Sequence, residues 1–195
     1  MDHLQDRMER RLERGVPLNL PYDLGKSGLI HFWTQRNKHK PKDTSSQPPI
    51  TINGTVIKPS KVIKHLGMHL DDSLSLHPQT DEAAANGNKC LMILASLRHN
   101  YRGLSTYTAL HLVHAALLPK MLWASPVWWT GSHHILHRLE PVYHRALCWA
   151  SGLSAYVAIR KLLQLTCMPL LGCILNLLSA HYAIQLLFAS EAHPL

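Results

Sequence analysis

Two adjacent carboxylates, Asp71 and Asp72, close the stretch KHLGMHLDD at residues 64–72. Paired acids are the usual means of holding divalent metal for nucleotide transfer, but that chemistry needs carboxylates from separate elements converging on ions a few ångströms apart. Upstream of this pair the only acids are Asp2, Asp6, Glu9, Glu13, Asp23 and Asp43, none in a segment with strand character. Neighbours in an extended chain also point to opposite faces. With Ser73 following, Asp71 and Asp72 read as a strand end passing into a turn or helix cap. No catalytic residue, metal ligand or cofactor is expected.

Other chemistry-bearing groups give less. His133, His134 and His137 lie at helical spacing, and Cys148 comes eleven residues after His137. A structural zinc site needs a second Cys or His pair at finger spacing, and none is present. Trp123, Trp128 and Trp129 sit in an apolar PVWW context and read as core aromatics rather than base-stacking platforms. There is no Gly-rich phosphate loop and no G-x-S-x-G turn.

The elements that must position these residues belong to a chain of 195 residues with 46 % hydrophobic content, enough for one good core or a small domain with a helical appendage. Lys and Arg number 20 against 12 acids, a net charge of +8 before any of the 15 histidines protonates. Such an excess favours a polyanionic partner. Cys90, Cys148, Cys167 and Cys173 form no framework and read as reduced, mostly buried thiols. The N-terminus, MDHLQDRMERRLER, is too charged for a secretory signal, so a cytosolic or nuclear chain is the default. Residues 162–190 carry no charged side chain. Pro169, Gly172, Gln164, Asn176, His181 and Gln185 argue against a membrane span there and for a buried helix pair.

Hydrophobic periodicity predicts an α+β chain: a small antiparallel β unit over about 28–71, then a mainly helical bundle over about 78–190. Residues 1–14 are a polar N-terminal helix. GLIHFW at 28–33 has the length of a buried strand, and 36–49 reads as an exposed basic loop. ITINGTVI at 50–57 places Asn53-Gly54 between β-branched residues, a hairpin signal. Val62 to Leu70 supplies a further strand, with Gly67 allowing a bulge or close backbone approach. Ala83, Gly87, Cys90, Leu94, Leu97 and Tyr101 line one helical face; Tyr107, Leu110, His114, Leu117 and Met121 line a second, broken at Pro119 or Pro126. Ile135, Leu139, Val142, Ala146 and Trp149 line a third between Ser132 and Gly152. Two more helices are expected at about 154–166 and 170–189.

Taken in order, these segments resemble the reverse transcriptase of non-LTR (LINE-type) retrotransposons, especially the versions common in fungal genomes. KSGLIHF at 26–32 looks like that family's K-[ST]-E-L-I-H-F strand. INGTVIKPS at 52–60 is similar to its hairpin, and KHLGMHLD at 64–71 to its K-[YH]-L-G-[VI]-x-L-D segment. RGLS at 102–105, LLPKMLWASPVWW at 117–129 and LEPVYHRALCWASG at 139–152 resemble the signatures that follow the palm. The likeness runs from about residue 15 to 190.

The resemblance implies that residues 15–75 are a palm remnant with primer-grip-like hairpins and that 76–195 are a thumb or connection-like helical domain. In the family the magnesium-binding Asp pair lies in a Y/F-A-D-D hairpin before the strand matched at 26–32, so Asp71-Asp72 falls in the wrong place. The chain is then a C-terminal fragment of an RNA-directed DNA polymerase without polymerase activity of its own. What remains is a weak, sequence-tolerant grip on RNA or RNA–DNA duplex. Candidate contacts are Lys26; Lys64, His65 and Gly67 at the primer-grip turn; Lys89, Arg98, His99 and Arg102; and His134, His137, Arg138, His144 and Arg145. The rival expectation is an inert or partner-seeking helical remnant that self-associates or takes a palm domain in trans. Gly28 in place of the family's acid, Pro141 inside a helix that normally runs through, and the lack of basic positions at 170–190 depart from the pattern.

Overall fold

The computed structural model describes residues 6, 7, 10, 27–32, 48–52, 54–97 and 104–188. The chain is α+β: two small antiparallel sheets precede a mostly helical region. It divides into two compact units, Met1–Pro78 and Gln79–Leu195.

In the first unit, Asp6, Arg7 and Arg10 are helical, and Arg10 donates to the Asp6 carboxylate one turn away. β1 (Ile50–Ile52) pairs with β2 (Thr55–Ile57) in the register Ile50↔Ile57, Thr51↔Val56, Ile52↔Thr55. Ile50 and Ile52 are buried while Thr51 between them is exposed, the two-residue alternation of a half-covered strand. Gly54 takes φ +76 at the connecting turn.

The stretch expected to be one strand over Val62 to Leu70 is instead a hairpin. β3 (Val62–His65) and β4 (Met68–Asp71) pair Val62↔Asp71, Ile63↔Leu70, Lys64↔His69 and His65↔Met68. Leu66 at φ +49 and Gly67 at φ +82 make the two-residue turn, with both residues left-handed as the right-handed twist of a hairpin demands. The predicted buried strand at 28–33 is also corrected. Leu29 makes one isolated parallel bridge with Pro59, Gly28 and Phe32 are exposed, and residue 33 lies outside the described residues. Ser60 N donates to Leu29 O at 2.9 Å, and a Cβ on Gly28 would lie 3.2 Å from Ile63 Cγ2, so this segment lies against β3 without joining a ladder.

The second unit is built around α5 (His133–Ser151), whose Ile135, Leu139, Val142, Tyr143, Ala146, Leu147 and Ala150 are buried. Around it lie α1 (His77–Ser96), α2 (Thr106–Leu112), a π-helical segment (Val113–Leu117), α3 (Leu118–Met121), α4 (Ser125–Trp128), α6 (Ile159–Thr166) and α7 (Leu171–Phe188). The face of α1 emerges as predicted at Ala83, Gly87, Cys90 and Leu94, although Leu97 is exposed and Tyr101 lies outside the described residues. The N-cap of α2 is Ser105, whose Oγ accepts from Thr108 N at 3.2 Å.

The second predicted face differs in phase. Tyr107 and His114 are exposed, and the buried stripe is Ala109, Val113, Leu117 and Met121. Each step of four residues turns an α-helix face by about 40° too far. The wider π turn absorbs that drift and keeps the four residues in line. The chain passes helically through Pro119 and breaks at Leu122–Ala124, where Ala124 takes φ +54, before Pro126 enters α4.

Pro141 does not interrupt α5. It lies on the exposed face, so the carbonyl it leaves without an N–H partner meets solvent. Gly152 at φ +74 ends the helix, with Leu153 N donating to Cys148 O at 3.1 Å. The helix expected from 154 begins only at Ile159. Tyr143 Oη donates to Pro169 O at 2.8 Å, pinning the α6–α7 connection to α5, and burial raises its pKa to about 12.

Candidate nucleic-acid interface

At the β3–β4 turn, Lys64 and His65 end one strand and Gly67 completes the tight reversal, all three exposed. Pairing in the ladder holds this tip without using those side chains, leaving a cation, an imidazole and bare backbone at the apex. Lys26, Arg98, His99 and Arg102 lie outside the described residues.

A second cluster forms where α1 meets α5. Arg138 Nη2 lies 2.7 Å from Asp81 Oδ1, and seven residues farther along both helices Arg145 Nη2 donates to Asn88 Oδ1 at 2.7 Å. Seven residues are two helical turns, about 10 Å, so the two helices run side by side in the same direction with rungs at equal spacing. Gly87 permits this approach, since a Cβ there would lie 2.9 Å from Val142 Cγ1 and 3.0 Å from Met121 Sδ. Arg145 Nε also donates to Pro141 O at 3.2 Å. The rungs differ electrically: Asp81 neutralises Arg138, whereas Asn88 orients Arg145 and, among the described residues, leaves its charge unopposed. Lys89 is exposed immediately after Asn88. Neither rung partner was apparent in the sequence; the only signal was the matched seven-residue spacing of 81 to 88 and 138 to 145.

His134 and His137 are exposed on α5. His144 differs from them in its surroundings. It is half-buried, and its Nε2 bonds Val157 O at 2.8 Å, which makes Nε2 the protonated nitrogen. The same nitrogen lies 3.8 Å from Cys148 Sγ, a juxtaposition that resembles a thiol nucleophile with its base. It lacks the chemistry of one, because a nitrogen that donates to a carbonyl cannot take the thiol proton. Burial also raises the Cys148 pKa, keeping the thiol neutral.

The aspartate pair resolves into a loop device. Asp71 Oδ2 accepts from Ser73 Oγ at 2.6 Å and Ser75 N at 2.9 Å, and Oδ1 accepts from Leu76 N at 3.0 Å. Burial alone would raise its pKa, but these hydrogen bonds outweigh it and hold the carboxyl well below the usual carboxylate range. They fasten a loop in which Leu74 and Leu76 both adopt positive φ. The magnesium of the resembled polymerases does not fit here, since both Asp71 oxygens are committed to the loop. Among the described residues no group of three or more His, Cys, Asp or Glu side chains is arranged to hold a metal ion.

Two further expectations need correction. Of Trp123, Trp128 and Trp129, only Trp128 is fully buried, donating from Nε1 to Trp123 O at 2.8 Å; Trp129 is half-buried and Trp123 is exposed because it sits in the break before α4. Cys90 and Cys148 are buried, but Cys167 and Cys173 are exposed. No protein-family model matches the chain, and no curated protein and no solved structure is significantly similar to it.

Proposed function

We propose that the chain corresponds to the end of the palm, the primer grip and the thumb of a non-LTR retrotransposon reverse transcriptase. In this reading it polymerises nothing by itself and binds RNA or RNA–DNA duplex weakly, through phosphates and with little sequence preference. The observation that carries the binding clause is Arg145, exposed and facing a neutral partner, two turns from Arg138 and on the helix that resembles the family's LEPVYHRALCWASG signature. Arg138, held by Asp81, adds a weaker contact about 10 Å away, roughly three nucleotide steps along one strand. Lys64, His65 and Gly67 at the hairpin turn fit the primer-grip role through backbone approach rather than base readout.

The test is a fluorescence-polarisation titration of labelled RNA–DNA hybrids of unrelated sequence at low and moderate salt. Similar affinities that fall together with rising salt are expected. Binding independent of salt, or none at all, removes the binding clause. Primer extension with magnesium should give no product, and any product overturns the reading of Asp71.

A second reading, a partner-seeking helical remnant without a nucleic-acid role, is favoured by the exposure of α7, where only Leu171 and Leu175 are buried. It predicts no polyanion binding at either salt concentration.

A further inference from the structure

The uncharged stretch, described here over 162–188, is not the buried helix pair its composition suggests. α7 packs on α4 and α5 through one narrow stripe, Leu171 and Leu175, and every residue from Ala180 to Phe188 is exposed. Among the described residues no single helix is long and apolar enough to cross a membrane; α6 and α7 together meet that test only as a pair bent by 61°.

On the side of α7 opposite Leu171 and Leu175 runs a second apolar line: Cys173, Leu177, Ala180, Ile184 and Leu187. The steps alternate four and three residues, the 3.5-residue repeat of a seam that receives another helix. All five are exposed, Leu177 by 70 %, Ile184 by 51 % and Leu187 by 82 %, and Phe188 at its edge by 85 %. Three polar residues of the helix, Asn176, His181 and Gln185, are occupied within the chain itself. Trp129 Nε1 donates to Asn176 Oδ1 at 2.8 Å, and Gln185 Nε2 lies 3.0 Å from His181 Nε2.

We propose that this seam is a self-association surface, on which α7 of a second copy packs antiparallel. Three features select a second copy. The positions flanking the seam, Ile174, Asn176, His181, Ala183 and Phe188, carry no charge that would choose a partner of opposite sign. Covering the seam and Phe188 removes about 500–600 Å² from water on each copy, which reaches the lower limit for a specific complex. The chain carries +8, so two copies repel over most of their surfaces and can approach along an uncharged helix. Antiparallel pairing separates the two charged bodies and opposes the helix dipoles favourably. With Ala180 at the centre, Leu177 of each copy faces Ile184 of the other. The small area makes the dimer weak, with dissociation in the micromolar range on the order of 10 μM.

The experiment is sedimentation equilibrium of the full chain over about 1–100 μM, with the variants Leu177→Glu and Ile184→Lys. Both sites are exposed, so circular dichroism and melting should match the parent. The parent is expected to dimerise, and each variant alone should associate at least about tenfold more weakly. Mixed in equal amounts they should recover the dimer, because the antiparallel register sets the carboxylate introduced by L177E in one copy against the ammonium introduced by I184K in the other. A parallel pair brings like positions together and gives no recovery. A monomeric parent overturns the proposal, as do variants that dimerise normally, a mixture that stays monomeric, and a parent that binds phospholipid vesicles without dimerising. None of these outcomes depends on nucleic-acid binding.

Discussion

Arg138 reaches Asp81 at 2.7 Å while Arg145, two turns on, reaches the neutral Asn88 at the same distance. The geometry repeats but the charge does not, so the two arginines should behave differently toward a polyanion. Arg145→Gln is expected to weaken hybrid binding about three- to tenfold and to lower the salt slope by about one. Asp81→Asn should strengthen binding about two- to threefold by releasing Arg138, since the exposed pair adds little to stability. Polarisation titrations of both variants at two salt concentrations measure this. Equal losses for Arg138→Gln and Arg145→Gln would show that the rung partners are irrelevant.

Gly87 of α1 faces Val142 of α5 and Met121 of α3. Gly87→Ala gains about 1 kcal/mol of helix propensity, but its methyl group meets Val142 Cγ1 at 2.9 Å, and crowding of that kind costs about 1–3 kcal/mol. A net loss of about 1 kcal/mol is expected in urea unfolding. Adding Val142→Ala should recover part of it, because the pair shares one space.

Asp71 makes stability depend on acid. Its folded pKa is depressed, so its contribution is complete above the unfolded value of about 4 and is lost as pH falls through the lower folded value. Asp71→Asn keeps the shape but weakens the loop hydrogen bonds. It should therefore be less stable than the parent at pH 7, with the gap closing below about pH 4. Melting temperatures from neutral pH down into strong acid check this sign; a gap that widens in acid contradicts it.

Leu66 adopts φ +49 while 83 % exposed, so it bears left-handed strain without burial in return. Leu66→Asn should stabilise the hairpin by about 0.5–1 kcal/mol, since asparagine tolerates that region. The register Lys64↔His69 should persist, readable from cross-strand nuclear Overhauser contacts.

Much of the architecture was legible in local pattern. The α1 and α5 faces appeared at helical spacing because each packs one stripe and each is regular for about five turns. The Asn53-Gly54 signal marked the β1–β2 hairpin through the conformational freedom of the turn, as Gly54 at φ +76 shows. Periodicity ran the second hairpin together as one strand because Leu66 carries no turn signature, although the family resemblance implies a turn at residues 64–67; pairing of Ile63 with Leu70 holds the conformation of Leu66. The phase of the α2 stripe was misread for a similar reason. A π turn leaves no residue-type mark, and periodicity analysis assumes 3.6 residues per turn throughout.

The amino-acid order alone determined that this is a basic α+β chain, that a turn falls at Gly54 and a helix end at Gly152, and that Asp71 closes a strand ahead of a turn. These are local properties, set by propensity, charge and hydrogen bonding over a few residues. Tertiary structure alone decided which arginine is neutralised, that Val142 and Met121 leave no room for a side chain at Gly87, that His144 bonds Val157, and that the uncharged C-terminal helix lies largely open. Those outcomes depend on which surfaces meet across tens of residues, and apolar composition measures a helix's need for cover without specifying what covers it.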